Sequence, residues 1–571
     1  MIVSALTVVE EGYVPVQGPG SACGHPAKVP SHNEPAMSKA INDALVQVKR
    51  RAERVEATRL VATFVEAGSL FTLLSSTDHQ VIYGRRGTGK THALKYLGED
   101  VLDKGDHSIY IDMRTIGSNG GLYTDTSIPV TERGTRLLVD TLVAIHDGLI
   151  DLALERGEQD FEMGASYELL DQLGNAISEV RVSGPVEQES TTAAERIDEQ
   201  TLGLELRATS IPLSVNAGAT SRAARREELR VRETGTVEHR VHFGSLTRLL
   251  TRTLEALPVG RVWVLLDEWS EVPLDLQPLL ADLIRRCILP VLEITVKIGA
   301  IEQRSRFRVR RPTGDFLGFE IGADVAADVN LDDFMVFGND RDRAKAFFKE
   351  LFFKHIQAVM AEGSTSEETP KDSGEFVRRA FTQQTALSEL VRAAEGVPRD
   401  AINVAMLAAM KAGSDPIGVP HVRRAAQDWY QRDKGRAIEA NPQASALLHW
   451  IIDEVIGERQ ARGFLLLPVE ANHPLIRELY DARILHIIKR GYSAQDEPGV
   501  RYDVFQIDYG CYVDLIATGT RAPLGLFEVE TTEGSEFVDV PADDYRSIRR
   551  AILRIDDFEN AQTVASATGA E

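Results

Sequence analysis

Gly84-Arg85-Arg86-Gly87-Thr88-Gly89-Lys90-Thr91 fits the pattern G-x-x-x-x-G-K-[ST]. The flanking residues give this stretch a structural setting. Gln80-Val81-Ile82-Tyr83 is a short apolar run that predicts a buried strand, and His92-Ala93-Leu94-Lys95-Tyr96-Leu97 predicts the start of a helix. A Gly-rich turn between a strand and a helix lets backbone N–H groups converge on one point, and the helix directs its positive dipole end there too. An anion with several oxygens suits such a cradle.

The residue types narrow the anion to a nucleoside triphosphate. Gly84, Gly87 and Gly89 allow the tight backbone path. The whole run Gly84, Arg85, Arg86, Gly87, Thr88, Gly89, Lys90, Thr91 and His92 is expected to surround the phosphates of ATP. Lys90 would reach the β- and γ-phosphates, and Thr91 would place a hydroxyl on Mg²⁺.

A second stretch fits the same chemistry. Arg261-Val262-Trp263-Val264-Leu265-Leu266-Asp267-Glu268 is a hydrophobic strand ending in two acids. Central strands of parallel sheets are apolar on both faces, and ligands bind beyond their carboxyl ends. Asp267 is therefore a candidate metal ligand, and Glu268 a candidate general base for the attacking water.

At 571 residues the chain is long enough for two to four domains. Its hydrophobic content of 43% and charged content of 26% are those of a globular protein. No apolar run reaches the ~18 residues of a membrane span, and no secretory signal pattern opens the chain. Cys23, Cys287 and Cys511 are too widely spaced for a disulfide framework or a zinc site. A cytoplasmic protein with no membrane contact is expected. The net charge of −22 argues against a surface given over wholly to nucleic acid, while leaving room for a local basic patch.

Along the chain, residues 1–36 predict a disordered tail. Residues 37–335 predict an α/β core with a parallel sheet flanked by helices, and residues 38–76 within it read as helical. Lys49, Arg50, Arg51 and Arg54 make one turn there basic, which reads first as a solvated face. Far more chain separates Thr91 from Arg261 than the ~30 residues of a βαβ repeat, so an insertion is expected over about 155–240. Ser108 to Met113 and Val291 to Ile298 predict further strands. Five arginines follow between Arg304 and Arg311, of which Arg304 and Arg306 are candidates to reach a neighbouring subunit's γ-phosphate. Residues 336–435 predict a helical lid. Within it, Gly396-Val397-Pro398 makes a turn and places Arg399 on the first turn of a helix, where a cation opposes the dipole unless an anion lies nearby. Residues 436–518 predict a winged-helix-like α+β module: helices over Ala444–Ala461 and Leu475–Arg483, then strands over Ile484–Arg490 and Tyr502–Asp508. Residues 519–571 predict a tail with one helix, Ala542 to Ile555, and frayed final residues.

Taken together, GRRGTGKT at 84–91, VLLDE at 264–268, GVPRD at 396–400 and the helix-plus-hairpin module resemble the AAA+ P-loop ATPases, and within them the origin-recognition and replication-initiator type. The resemblance spans roughly 60–520. It implies an ATPase core, a helical lid and a C-terminal winged helix. It also implies a second-sensor role for Arg399 toward the γ-phosphate, and a first-sensor residue at the end of a core strand, where Lys297, Glu302 and Gln303 are nearest. The implied activity is Mg²⁺-dependent ATP binding and hydrolysis that moves lid and winged helix. The alternative is a nucleotide-loaded switch or scaffold with little turnover, its winged helix docking protein. The implied partners are ATP and ADP, further copies of the chain, and either double-stranded DNA or a partner protein at residues 436–518. No N-K-x-D guanine-reading motif and no L-S-G-G-Q run is present, which disfavours a GTPase and a transporter-type ATPase.

Overall fold

The computed structural model describes residues 34–52, 55–116, 123–157, 164–177, 242–312, 314–332, 340–362, 369–459, 461–493, 499–517 and 551–568, together with short isolated strands within 180–239 and 528–537. The tail expected over 1–36 lies outside these residues save its last three, which open a helix, Glu34–Gln47. Most of the 155–240 insertion also lies outside them.

Five parallel strands form the central sheet: β1 (Gln80–Tyr83), β2 (His107–Asp112), β3 (Val262–Asp267), β4 (Ile294–Ala300) and β5 (Ala326–Asn330), in the order β5-β1-β4-β3-β2. β3 and β4 are buried along their whole lengths, as apolar strands covered on both faces must be. Alternate residues serve opposite faces. Val262, Val264 and Leu266 pack with Leu138, Leu142, Leu250 and Leu280 from the helices Val130–Gly157, Phe243–Ala256 and Gln277–Cys287. Trp263 and Leu265 face Leu94 and Leu97 of the helix α1 (Lys90–Asp103).

The lid is a cluster of helices, Arg341–Glu362, Ser373–Ala380, Gln384–Ala394, α2 (Pro398–Ala412) and Val419–Trp429, around Phe348, Phe352, Leu390 and Val404. The helix Glu34–Gln47 joins the lid rather than the sheet, through Ile41 and Leu45. The helical reading of 38–76 is thereby corrected. Three helices occupy it, Glu34–Gln47, Ala57–Thr63 and Leu70–Leu74, because the chain must cross from lid to core. The basic residues 49–51 fall on the crossing.

The C-terminal module is a winged-helix-like α+β unit. Its helices Pro442–Ile451 and α3 (Pro474–Asp481) pack on an antiparallel sheet of β6 (Gly463–Leu466), β7 (Leu485–Ser493) and β8 (Arg501–Ile507), in the order β6-β8-β7. β6 lies just past the stretch read as one helix to Ala461. The tail helix is a second correction. Residues 542–550 are outside the described residues, but Ala551 to Leu553 run extended against Leu465, and the helix spans Ile555–Thr568. Ala551, Leu553 and Ile555 are buried alternately, a period of two that favours extended chain over helix.

Candidate functional site

The loop from Gly84 to Thr91 leaves β1 and turns into α1. Two of its residues need the left-handed region: Gly87 at φ +91° and Gly89, which caps α1, at φ +102°. A side chain at Gly87 would also meet the Cβ of Arg399 at 2.8 Å. Lys90 donates to the carbonyls of Gly84 at 2.8 Å and Arg85 at 3.1 Å, so its ammonium lies inside the ring the loop makes. Burial lowers its pKa, against the opposing pull of Glu268 and Asp267.

The carboxyl end of β3 meets this loop across β4. Asp267 is fully buried. Its Oδ2 accepts from Thr91 Oγ1 at 2.6 Å and from Tyr110 Oη at 2.8 Å, and its Oδ1 accepts from the backbone N–H of Glu268 at 2.8 Å. Glu268 takes φ +55°, an uncommon backbone for a residue with a side chain, and strain of this kind clusters at functional positions. Burial raises the Glu268 pKa, with the neighbouring Asp267 charge adding to it. A carboxyl so raised is a better proton acceptor than an exposed one.

Lys90, Thr91 and Glu268 face one cleft of about 320 Å³ between core and lid, and Asp267 is joined to it through Thr91. Gly87, Gly89, Lys90, Thr91, His92, Glu268 and Arg399 line it. Val55, Leu60, Leu351 and Ile402 are apolar members of its lining. Arg399 is held against the loop by its own backbone N–H, which donates to the Gly87 carbonyl at 3.2 Å. Among the described residues no group of three or more His, Cys, Asp or Glu side chains converges to hold a metal. The Thr91 hydroxyl beside the Asp267 carboxylate instead fits Mg²⁺, which takes one or two protein oxygens and leaves its other positions to phosphate and water.

Several expected residues stand elsewhere. The Arg85 side chain points away from the cleft into a buried contact with Asp332 and His486. The Thr88 hydroxyl is spent on the Arg85 carbonyl at 2.9 Å, and Gly84 packs against it. Arg86 lines the cleft and pairs with Glu271 at 2.6 Å. His92 also lines it, though its ring bonds the Leu60 carbonyl at 2.8 Å. Arg304 is engaged within its own chain by Asp481 of the C-terminal module at 2.5 Å. Arg306 is exposed, and neither of the two lines the cleft. Lys297 is fully buried and bonds Ser76, Asp78 and Gln80 at the opposite end of the sheet. Glu302 pairs with Arg490 at 2.7 Å. Neither therefore stands as the polar residue at the end of β4.

Four of the lysines and arginines lining the cleft were not singled out for this site from sequence. Lys49, Arg50 and Arg51 line the cleft although a charge run is ordinarily a solvated face, and Arg50 donates to Asn403 of α2 at 3.2 Å. Arg114 lies 3.9 Å from Glu268. Its signal was its place just beyond the carboxyl end of β2.

Comparisons with known proteins give one family match and a set of distant structural likenesses. Residues 48–117 match the sequence model of the ORC-CDC6-like family, and the chain resembles the AAA+ ATPases of that origin-recognition type. No curated protein matches. Among solved structures, the Walker-type ATPase of Pyrococcus abyssi is 12% identical, with 82% of this chain and 99% of that chain covered, at a TM-score of 0.36. Cdc6p of Pyrobaculum aerophilum is 11% identical over 84% of this chain and 97% of that one, at 0.30. The ORC1 protein of Aeropyrum pernix, in complex with DNA, is 12% identical over 81% and 96%, at 0.30.

Proposed function

We propose that this chain binds and hydrolyses ATP, and couples the nucleotide state to the positions of its lid and winged-helix module. The observation that carries this is the meeting of Lys90, Thr91, Glu268 and Arg399 at one cleft, with Asp267 bonded to Thr91. The N–H groups of the loop and the start of α1 bind phosphate oxygens. The Lys90 ammonium balances charge on the β- and γ-phosphates, and the Arg399 guanidinium meets the γ-phosphate from the lid. Thr91 and Asp267 would hold Mg²⁺, which would supply positive charge against the phosphates. Glu268 orients the attacking water and takes its proton, which its raised pKa favours. The apolar side chains of Leu60, Leu351 and Ile402 receive the base, and Lys49 to Arg51 add positive charge at the rim.

Glu268→Gln is the direct test. It should leave ATP affinity within about threefold of the parent and slow steady-state turnover by about 10²–10⁴-fold. Turnover equal to the parent's would remove Glu268 from the chemistry, and no affinity of the parent for any nucleotide would remove the proposal.

A client that carries phosphates is supported by a different feature. The hairpin Arg308–Arg310/Phe316–Gly318 leaves the sheet after β4, with Arg306, Arg308 and Arg310 exposed at alternate positions, Arg308 paired with Glu320 at 2.5 Å and Arg306 and Arg310 offered for contact. Alternation puts all three on one face. Duplex DNA is the client this supports. Arg490 of the winged helix is less available for that role, because it is paired with Glu302 of the core.

A further inference from the structure

Arg85 stands inside the phosphate-binding loop, yet its side chain does no work in the cleft. The guanidinium is 2% exposed. Its Nε and its own backbone N–H donate to the two carboxylate oxygens of Asp332, just past β5, at 2.8 and 2.9 Å. Its Nη1 donates to His486 Nδ1 of β7 at 2.6 Å, and its Nη2 reaches the Glu395 carbonyl of the lid at 3.4 Å. It also lies 5.0 Å over the ring of Tyr480 in α3. Core, lid and C-terminal module thus meet on one side chain of the loop.

The contacts continue on both sides. The His486 Nδ1 can accept only if the ring is neutral with its proton on Nε2, which faces Asp508 at 3.2 Å. Asp508 and Asp400 share Lys434, at 2.5 and 3.0 Å, and Asp400 follows Arg399 on α2. In the other direction, the Arg85 carbonyl accepts from both Lys90 and Thr88. A displacement of His486 therefore reaches the Lys90 ammonium through two hydrogen bonds and one residue of backbone.

We propose that the winged-helix module completes the nucleotide site. By gripping Arg85 through His486, it sets the shape of the phosphate-binding loop, so that docking of the module and binding of nucleotide are one coupled equilibrium. His486 is a positioning residue that acts through Arg85 and touches no phosphate. This rests on the nucleotide-binding reading above. Reciprocity follows: whatever factor docking adds to nucleotide affinity, nucleotide adds to docking.

The test uses the full chain and a fluorescent N-methylanthraniloyl ADP with Mg²⁺. His486→Ala should weaken its binding by about tenfold, within the range of coupling between sites. His486→Asn, whose amide oxygen can still accept from Arg85, should recover most of that loss. His486→Gln, which mimics the other ring nitrogen, should not. In the parent, hydrogen exchange at the amides of β7 should slow when ADP is added, and it should not slow in a Lys90→Ala variant. Unchanged affinity in a folded His486→Ala, or exchange in β7 indifferent to ADP in the parent, would overturn the coupling while nucleotide binding stood. Should His486→Ala not fold, the exchange measurement on the parent decides alone. A parent with no affinity for the probe takes both readings down.

Discussion

The hydroxyl of Thr91 lies 2.6 Å from the carboxylate of Asp267, although 176 positions separate them in the chain. One belongs to the first turn of a helix and the other to the end of a strand two places away in the sheet. In the proposed function their meeting offers two oxygens to a divalent cation beside the loop Gly84–Thr91. Thr91→Ala should abolish the dependence of nucleotide affinity on Mg²⁺. Titration with labelled ADP in Mg²⁺ and in chelator should give two different affinities for the parent and one for the variant.

Gly87 carries both a backbone constraint and a contact. Alanine there meets the left-handed penalty of about 1–2 kcal/mol, and its Cβ would also press on Arg399. Gly87→Ala should lower the melting temperature by about 1–2 °C and weaken ATP binding, because lid and loop can no longer close to the same distance. Calorimetry with and without ATP reads both effects.

The buried charges Asp400, Asp508 and Lys434 make stability sensitive to acid. Burial alone would raise both carboxyl pKa values, but Arg483 and Lys434 at Asp400, and Lys434 with His486 at Asp508, outweigh it and hold both below the usual carboxylate range. The sign follows from the depressed values. Their contribution is fully present above the unfolded carboxylate pKa of about 3.9 and is lost as pH falls through the folded values. Urea midpoints measured from pH 6 down should fall most steeply below about pH 4. Lys434→Met, which leaves Asp400 with Arg483 and Asp508 with His486 as remaining partners, should cost about 3–5 kcal/mol at neutral pH.

The hairpin arginines give a separable prediction about a client. Arg306→Glu with Arg310→Glu should weaken binding of duplex DNA and flatten its salt dependence by about two units of log–log slope, near one for each phosphate contact. ATP affinity should stay at the parent's value, since neither residue lines the cleft. Equal DNA affinity in parent and variant, across a salt series, would remove the hairpin from DNA recognition.

Much of the site was legible because its signals are local. A strand, a glycine turn and a helix are all written within Gln80 to Leu97, and an acid pair after an apolar run is written within Val262 to Glu268. Both depend on backbone geometry that neighbouring residues decide. Arg85 and the run from Lys49 to Arg51 were not legible in the same way. Arg85 reads as one more cation of the loop, and only the chain folding back puts Asp332 and His486 beside it. Lys49 to Arg51 read as a solvated turn, and only the packing of the helix Glu34–Gln47 into the lid brings them to the cleft rim. The end of the expected tail helix was misplaced because Ala551 to Leu553 take their extended form from a partner, Leu465, distant in sequence.

The sequence alone determined that a strand–loop–helix turn and an acid-tipped strand exist, since each arises from contacts over a few residues. Tertiary structure decided which side chains of that loop face the cleft and which are gripped from behind by the lid and the last module. A side chain's direction depends on what fills the space around it, and here that space is filled by residues hundreds of positions away.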